Sequence, residues 1–222
     1  IPVFRGTYLQ LFDELGSVDN ITIKQKWFFE RKNQHSVSQD HFLNISSYPI
    51  AYWVSEKLLK ILAECKPLSY YADARKGLTT GDNDTFVRLW HEIQSNKFTI
   101  FNTTGKWVPM TKGGDFRRWY GNNEYVVNWE NDGYEIINFK DELGKLRSRP
   151  QNIQYYFREC ISWNDTTATG KIAFRYQTSA YIPNASGPCV YCSTGNLLYY
   201  FGLLNSCVSQ ALLFVLAPNM KF

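Results

Sequence analysis

The stretch from Lys106 to Asn138, KWVPMTKGGDFRRWYGNNEYVVNWENDGYEIIN, governs how the rest of the sequence is interpreted. Its first half interleaves glycines with basic and flat aromatic side chains, in the order Lys112, Gly113, Gly114, Arg117, Arg118, Trp119, Tyr120, Gly121 and Asn122. A glycine-hinged loop of this composition suits a polyanion whose bases or sugars also need a flat surface to lie on. This stretch therefore predicts a loop that binds a polyanion.

The second half of the same stretch predicts the support for that loop. Residues 125–130, YVVNWE, and residues 134–139, YEIINF, flank Asn131-Asp132-Gly133. A turn of this kind between two such runs is a strong β-hairpin signal. We therefore expect a hairpin that holds the loop on a rigid element.

Length and composition are those of a globular chain with a substantial core. The chain has 222 residues, of which 44% are hydrophobic, so it can form one large domain or a domain with an appendage. It contains 7 Trp, 15 Tyr and 15 Phe, and aromatic side chains supply both core volume and contact surface. The net charge of only +4 means that a polyanion site requires local clustering of basic residues.

Such clustering occurs between positions 145 and 175, where only Glu159 and Asp165 are acidic. The basic residues of this segment are Lys145, Arg147, Arg149, Arg158, Lys171 and Arg175. Within it, residues 147–152, RSRPQN, form a second cationic turn. Arg and Gln at a loop tip can read guanine or adenine edges, each pair giving about 1–3 kcal/mol of discrimination. A solvated loop is the alternative.

A third polar segment is residues 77–83, GLTTGDN, preceded by Arg75 and Lys76. Its glycines let the backbone approach a phosphate closely, and Thr79 and Thr80 add hydroxyl donors. It lacks the Gly-Lys-Ser/Thr ending of a nucleotide-binding P-loop, which argues against ATP. An ordinary capped loop is the alternative.

Periodicity predicts two helices. Apolar residues at helical spacing from 51 to 65 are typical of an amphipathic helix that ends near Pro67. Residues 196–217 form the longest apolar run, but polar residues recur at three- and four-residue intervals between Gly202 and Gln210. A core helix ended by Pro218 explains this pattern better than a transmembrane helix.

The remaining segments give weaker signals. We expect a strand or short helix at 3–13, a strand or linker at 67–76 and a strand at 171–176. Residues 20–39 are interpreted as an exposed connection pinned by Trp27, Phe28 and Phe29. Together these patterns predict an α+β fold in which a twisted, mostly antiparallel sheet carries the loops and the two helices cover it.

The cysteines do not predict a disulfide framework, because there are five at irregular spacing. We expect them to be reduced and mostly buried. Cys189 and Cys192 have the spacing of half a zinc site, but with no second pair nearby they are interpreted as part of a core strand, with no metal bound. Several Asn-x-Ser/Thr triplets occur without a recognisable signal peptide, so we expect an unglycosylated, cytoplasmic protein.

Three blocks of the sequence resemble a known family. They are residues 76–93, KGLTTGDNDTFVRLWHEI, residues 106–139, and residues 147–163, RSRPQNIQYYFRECISW. These blocks are similar to the C-terminal half of the PglX-type adenine-specific DNA methyltransferases of bacterial BREX phage-defence systems. Residues 47–61 and 199–222 also resemble that family, so the likeness runs with gaps from about Pro49 to Phe222, and residues 1 to about 48 match loosely.

The resemblance implies a division of the chain and a missing activity. Residues 1–70 would be the end of the methyltransferase core and a connector, and residues 71–222 a DNA target-recognition domain, truncated at its end. The family's Asn-Pro-Pro-Tyr motif and its glycine-rich loop for S-adenosylmethionine are not in this sequence. We therefore expect a fragment that is inactive and binds no cofactor alone, taken from a parent that uses S-adenosylmethionine to methylate a flipped adenine.

The resemblance also implies partners and contacts. The expected partners are double-stranded DNA, the methyltransferase core of the same polypeptide, other defence-system proteins and acidic phage proteins that imitate DNA, but no membrane. Phosphate contacts are expected from Lys112, Arg117, Arg118, Arg147 and Arg175.

Base contacts are expected from Asn122, Arg149 and Gln151, while Trp119 or Tyr120 would stack or wedge. The other candidate DNA contacts are Arg75, Lys76, Thr79, Thr80, Gly113 and Gly114. Trp119 and Tyr120 could alternatively pack beneath the predicted hairpin.

Two other classes of function remain open from the sequence. A stand-alone hydrolase would use Asp115, Glu130 or Asp132 with one of the scattered histidines, His35, His41 and His91. A protein-interaction or glycan-binding module would use the aromatic surface and would bind its partner with little dependence on salt.

Overall fold

The computed structural model describes residues 4–11, 20–43, 45, 48–99, 105–166, 172–193 and 195–216. The strands are β1 (Arg5–Leu9), β2 (Gln34–Ser38), β3 (Ala72–Arg75), β4 (Leu78–Thr79), β5 (Val87–Leu89), β6 (Trp107–Thr111), β7 (Tyr125–Asn128), β8 (Arg149–Pro150), β9 (Cys160–Ser162), β10 (Arg175–Gln177), β11 (Ile182–Pro183) and β12 (Cys189–Cys192). The helices are α1 (Ile21–Phe29), α2 (Asp40–Leu43), α3 (Glu56–Glu64), α4 (Asn83–Phe86), α5 (Glu130–Ile137), α6 (Leu197–Leu204) and α7 (Cys207–Leu216). The predicted α+β class is confirmed.

Eight of the strands form two four-stranded sheets rather than the single sheet that the pattern predicted, and β1 pairs with β2 in a separate antiparallel ribbon. The first sheet has the order β10-β9-β12-β3 and is antiparallel throughout. The second has the order β11-β6-β7-β5 and is antiparallel except that β11 runs parallel to β6. The expectation of mostly antiparallel pairing is therefore confirmed.

A short ribbon extends the second sheet. In this ribbon β4 pairs with β8, Leu78 lying opposite Pro150. Leu78 also forms a parallel bridge to Asn184, the residue directly after β11, and its carbonyl accepts from the Ala185 amide at 3.0 Å. The strand order thus continues as β8-β4-β11-β6-β7-β5, which we call the extended sheet.

Each sheet has its own hydrophobic core. The extended sheet packs on Leu78, Phe86, Val87, Val108, Met110, Val127, Trp129, Ile136, Tyr156 and Ile182. The first sheet packs with α6 around Ala72, Ile161, Ile172, Phe174, Val190 and Leu204. A third cluster joins Leu59 of α3 to Val215 of α7. Helix α6 therefore covers a sheet, as expected, whereas the core contacts of α3 are with α7.

The hairpin predicted around Asn131-Asp132-Gly133 is wrong. Residues 125–128 do form a strand, but β7 pairs with β5 and β6, and residues 130–137 form α5. Asn131, Asp132 and Gly133 have positive φ angles of 52, 55 and 76°, which turn the chain so that Gly133 packs on the Trp129 ring. The true hairpin is β6–β7, and its connection, residues 112–124, is the predicted polyanion-binding loop, which we call the basic loop.

The C-terminal apolar run forms two helices instead of one. Helices α6 and α7 meet at an angle of 71°. Asn205 lies at the break, where its amide group bonds the backbone N–H and C=O of Phe174 at 3.2 and 3.1 Å. No single helix within the described ranges is long and apolar enough to cross a membrane, although the bent pair passes by length and composition. Pro218 lies outside the described residues.

The other segments are confirmed in part. The helix expected at 51–65 is α3, which begins later because Ser55 caps it by accepting from the Leu58 amide at 3.3 Å. Cys189–Cys192 is the core strand β12, and all five cysteines are free, although Cys65 and Cys207 are exposed.

The interpretation of residues 20–39 as an aromatic-pinned connection is wrong, because they form α1 and β2 and leave Phe28 and Phe29 exposed. Three expected strands are found as β1 at 3–13, β3 at 67–76 and β10 near 171–176. Residues 3, 12, 13 and 171 lie outside the described ranges. The boundary near residue 70 stays a prediction.

The join between β4 and β11 depends on Gly77. A Cβ atom at this position would lie 1.8 Å from the Pro183 carbonyl oxygen. We expect Gly77→Ala to lower the free energy of unfolding by at least ~2 kcal/mol, since backbone must move to relieve the clash. Urea denaturation measures this change.

Gly202→Ala is the matched control for that substitution. No heavy atom lies within 4 Å of a Cβ at Gly202, which is inside α6. Alanine there should leave stability unchanged or raise it by up to about 1 kcal/mol. Equal stability of the Gly77→Ala variant and the wild type would refute the close approach.

Candidate nucleic-acid interface

The strand directions bring separate basic segments to one end of the extended sheet. Strands β4, β11 and β6 run parallel, so their carboxyl ends lie together. Strands β7 and β8 run the opposite way, so their first residues lie at that same end. We call this the loop end. It carries residues 79–81, 147–149 and 184–187 and the basic loop, residues 112–124.

The RSRPQN turn and the GLTTGDN segment are in contact at the loop end. Gly81 has a φ of 81°, and a Cβ on it would lie 2.7 Å from the Arg147 carbonyl. The Arg147 guanidinium lies 5.2 Å from the centre of the Phe139 ring, which packs edge-on against Phe86. Arg149 is exposed beside Thr79. Two segments about 70 residues apart in sequence thus form one surface.

The basic loop exposes Arg117, Arg118, Trp119 and Tyr120, whereas Lys112 is half-buried. Trp119 is 51% exposed and Tyr120 is 73% exposed, so the alternative that they pack beneath a hairpin is wrong. Trp119 rests edge-on against Phe201, with the ring centres 5.2 Å apart. Lys112 lies over the Tyr125 ring at 4.3 Å, and Arg118 lies near the Phe116 ring.

Most of these cations carry no ion pair. Arg117 pairs with Glu124 at 3.1 Å. Within the described part of the chain, Lys112, Arg118, Arg147 and Arg149 form no ion pair. Asp82, Asp115 and Glu124 lie on the same segments, so the surface is basic on balance but not uniformly so.

The prediction that Arg175 contacts phosphate is wrong, because this side chain is only 1% exposed. Its Nη2 donates to Asn164 Oδ1 at 2.7 Å, and its Nη1 donates to the Arg117 carbonyl at 3.5 Å. Burial lowers the pKa of the guanidinium to about 10, so the group remains charged at neutral pH. Arg175 supports the basic loop from beneath.

Asn122 and Thr80 are also corrected from contact residues to internal ones. Asn122 is 5% exposed, and its Nδ2 donates to the Asp115 carbonyl within the basic loop at 3.0 Å. Thr80 is 2% exposed, and its hydroxyl donates to Asn83 Oδ1 at 2.8 Å. Of the two threonines expected to face a phosphate, only Thr79 is exposed.

The glycines of the basic loop meet protein rather than an open cradle. A Cβ on Gly113 would lie 2.9 Å from the Ser186 carbonyl, and one on Gly114 would lie 3.1 Å from the Asn122 side chain. Both glycines thus lie where the loop packs closely against Ser186 and Asn122, and their contact with DNA stays a prediction.

Three other predicted contacts lie away from the loop end. Arg75 is on β3 of the first sheet, where it pairs with Asp73 at 2.8 Å. Lys76 comes before β4, at the other end of that strand, and pairs with Asp165 at 3.0 Å. Gln151 follows β8 on the side away from the loop end and is half-buried. Arg75 and Gln151 are not brought together with the basic loop, whereas Lys76 reaches it indirectly, because Asp165 follows Asn164, whose side chain bonds the Gly114 carbonyl.

The sequence interpretation missed the turn at residues 184–187. This turn lies between residues 147–149 and the basic loop. Asn184 accepts from the Ser186 amide at 2.9 Å, and Ser186 Oγ accepts from the Gly113 amide at 3.3 Å. The run Asn-Ala-Ser-Gly-Pro at 184–188 is a turn signal that would have found it.

The hydrolase alternative gains no support. Glu130 is paired with Lys106 at 3.0 Å. Among the residues that the structure describes, no three His, Cys, Asp or Glu side chains are grouped as metal ligands.

The capped-loop interpretation of GLTTGDN gives a pH prediction. Asp82 caps α4 by accepting from the Thr85 amide and hydroxyl at 3.1 and 3.0 Å, and these bonds lower its pKa. Since the folded-state pKa is the lower one, this stabilisation is present above the ordinary aspartate pKa and is lost as pH falls through the folded-state value. We expect Asp82→Ala to lower Tm at pH 7, but not at a pH below both the folded-state pKa of Asp82 and the ordinary aspartate pKa.

Thermal melts followed by circular dichroism at both pH values test this expectation. Glu142→Ala is the control, because Glu142 is an exposed acidic residue of a turn and forms no ion pair within the described part of the chain. A loss of Tm that is the same at both pH values would show that Asp82 acts through something other than its charge.

The site and fold define a candidate polyanion-binding domain, in which exposed cations and aromatics project from one end of a mixed sheet. The chain matches no protein-family model. It is 35% identical to the adenine-specific methyltransferase PglX of Lacticaseibacillus casei (strain Zhang), over 99% of this chain and 19% of that protein. It is 30% identical to the adenine-specific methyltransferase BrxX of Escherichia coli O9:H4 (strain HS), over 98% of this chain and 18% of that protein.

The chain therefore belongs to the PglX-type family of BREX adenine-specific methyltransferases and corresponds to one segment of them. It spans about a fifth of the length of these two relatives. The similarity covers nearly the whole chain. It therefore includes residues 1 to about 48, whose resemblance to the family is loose when the sequence is inspected alone.

Proposed function

We propose that this chain is a DNA-binding target-recognition region of an adenine-specific methyltransferase and that it binds double-stranded DNA across the loop end. The observation that carries this proposal is the convergence of the basic loop and residues 147–149 at one end of the extended sheet. The relationship to PglX and BrxX supports it, because a methyltransferase of adenine must engage its target base.

The spacing of the basic groups suits duplex DNA. Strands β8 and β6 are three positions apart in the extended sheet, which corresponds to roughly 14 Å at about 4.8 Å per strand. The major groove of B-DNA is about 12 Å wide. Arg147 on one side and Lys112 on the other are thus spaced to contact phosphates on either side of a groove, and Arg118 is a further exposed cation of the basic loop.

The side chains available for bases lie between and beside those cations. Arg149 is exposed at the first position of β8, where a guanidinium can form paired hydrogen bonds with guanine. Trp119 and Tyr120 offer the flat surfaces that unstacked bases prefer, and both stand on an anchored loop. In this proposal the phosphate contacts position the duplex, while Arg149 and the aromatic pair supply selectivity.

Methyl transfer belongs, in this proposal, to the parts of the longer relatives outside the aligned segment. S-adenosylmethionine would be bound there, and the adenine would be flipped toward that site. Cytoplasmic location, contact with the remaining methyltransferase core, and contact with other defence proteins or acidic DNA mimics are parts of the same proposal.

A protein-interaction module within the same defence complex is the second candidate. The observation that favours it is an uncharged, exposed apolar set on α6 and α7, made of Leu198, Tyr199, Leu203 and Val208. Exposed apolar side chains grouped on a surface are typical of protein contacts. Binding through this set would vary little with salt.

Fluorescence anisotropy with a short labelled duplex across a salt series tests the DNA proposal. We expect binding in the micromolar range at low salt, with log K falling linearly against log salt concentration. Arg118→Ala and Arg147→Ala should each weaken binding and reduce the steepness of that line by about 1, since each removes one phosphate contact.

Lys57→Ala is the matched control for charge. Lys57 is an exposed residue of α3, so this variant loses the same single charge without touching the loop end. Its binding curve should overlay that of the wild type. No binding at low salt, or equal losses in the Lys57 and Arg118 variants, would reject the loop end as the DNA interface.

Arg149 gives a separate prediction about selectivity. Arg149→Ala should narrow the difference in affinity between target and non-target duplexes by about 1–3 kcal/mol, whereas Arg147→Ala should weaken binding to both equally. Competition between randomised duplexes, followed by sequencing of the bound fraction, measures both effects. An unchanged preference in the Arg149 variant would remove this residue from base recognition.

A further inference from the structure

We propose that Arg175 and Asn164 are positioning residues for DNA binding, which hold the basic loop in its binding shape from beneath. This inference rests on the proposed function of the loop end. Neither residue contacts DNA in this arrangement, because Arg175 is 1% exposed and Asn164 is 8% exposed.

The two side chains form one connected set of bonds from β10 to the loop backbone. Arg175 Nη2 donates to Asn164 Oδ1 at 2.7 Å, and Asn164 Nδ2 donates to the Gly114 carbonyl at 2.6 Å. Arg175 Nη1 donates to the Arg117 carbonyl at 3.5 Å. Two carbonyls of the basic loop, three residues apart, are therefore held by one guanidinium and one amide.

Neighbouring residues of β10 hold the loop at two further points. Gln177 lies two residues after Arg175 and so on the same face of the strand. Its Nε2 donates to Asn123 Oδ1 at 3.1 Å. The backbone of Trp119 bonds on both sides of Arg175, donating to the Phe174 carbonyl at 2.9 Å and accepting from the Tyr176 amide at 3.2 Å.

These bonds fix where the side chains of the loop point. Anchored at 114, 117, 119 and 123, the loop turns the side chains of Arg118, Trp119 and Tyr120 toward solvent. A loop that is already ordered loses less conformational entropy when its ligand binds. The anchors therefore favour binding without making a contact of their own.

The chemistry of Arg175 suits positioning better than stability. Burying a guanidinium is unfavourable unless it is paired, and in the described structure Arg175 has no ion pair and its Nε has no hydrogen-bond partner. An apolar side chain of similar volume would often serve a core equally well. A guanidinium, however, can bond two separate acceptors at a fixed angle, as Arg175 does with Asn164 and Arg117.

The test uses Asn164→Ala in the full 222-residue chain. We expect faster hydrogen exchange at the Trp119 amide and neighbouring loop amides, with exchange in β6, β7 and β12 unchanged. The affinity for the duplex should fall about three- to tenfold, because the substitution removes one to two of the hydrogen bonds that order the loop before DNA binds. Asn128→Ala is the matched control, because Asn128 is also buried but bonds Glu135 at the opposite end of β7.

A double-mutant cycle separates positioning from general stability. If Asn164 acts by holding the loop, Arg118→Ala should cost less affinity in the Asn164→Ala background than in the wild type. If Asn164→Ala folds poorly, Arg175→Lys replaces it in the test, because lysine keeps the charge but lacks the forked guanidinium. This variant should show the same faster hydrogen exchange confined to the amides of the basic loop.

The outcomes distinguish this inference from the proposed function. If the wild type binds no duplex, the proposed function fails and the inference fails with it. If the wild type binds DNA and Asn164→Ala binds it equally well, the proposed function stands and the positioning role is overturned. The same conclusion follows if the affinity losses of Asn164→Ala and Arg118→Ala are additive and hydrogen exchange becomes faster throughout the chain.

Discussion

The whole arrangement depends on the close approach of β4 to the end of β11. Gly77 permits it, since any side chain there would overlap the Pro183 carbonyl. Through the bridge between Leu78 and Asn184, the ribbon β4–β8 becomes part of the extended sheet. Together with the bond from the Arg147 amide to the Phe139 carbonyl at 2.9 Å, this contact places residues 147–149 and the basic loop on one sheet, so their charges form a common surface.

The class of fold was predictable from the sequence, but its division into two sheets was not. Periodicity finds α3 and the C-terminal apolar run because helical spacing is a local property. Pairing between distant strands is not local, and β4, β8 and β11 have only two residues each. The Asn-Asp-Gly sequence predicted a hairpin turn, but residues with left-handed backbone can also lie at the beginning of a helix. Here they do so in α5, where Gly133 packs on the Trp129 ring.

The candidate site was predicted better as segments than as residues. Glycine, arginine and aromatic composition identified the basic loop and the RSRPQN turn, and the structure brings the loop and residues 147–149 of that turn to the loop end. Composition cannot tell which polar side chains of a segment point inward, so Arg175, Asn122 and Thr80 were assigned to a surface from which they are buried. That distinction depends on bonds such as Arg175 to Asn164, made between residues far apart in the chain.

The basic loop is held largely through its main-chain atoms: the carbonyls of Gly114, Arg117 and Trp119 accept bonds, and the amide of Trp119 donates one. Every residue type except proline offers these atoms. Positions 118 and 120 can therefore change their side chains while the loop keeps its path, whereas position 119 has a φ of 77° and favours residues such as Gly or Asn that tolerate left-handed backbone. Such a scaffold lets natural variation, or an engineer, exchange the exposed chemistry at these positions without redesigning the domain beneath it.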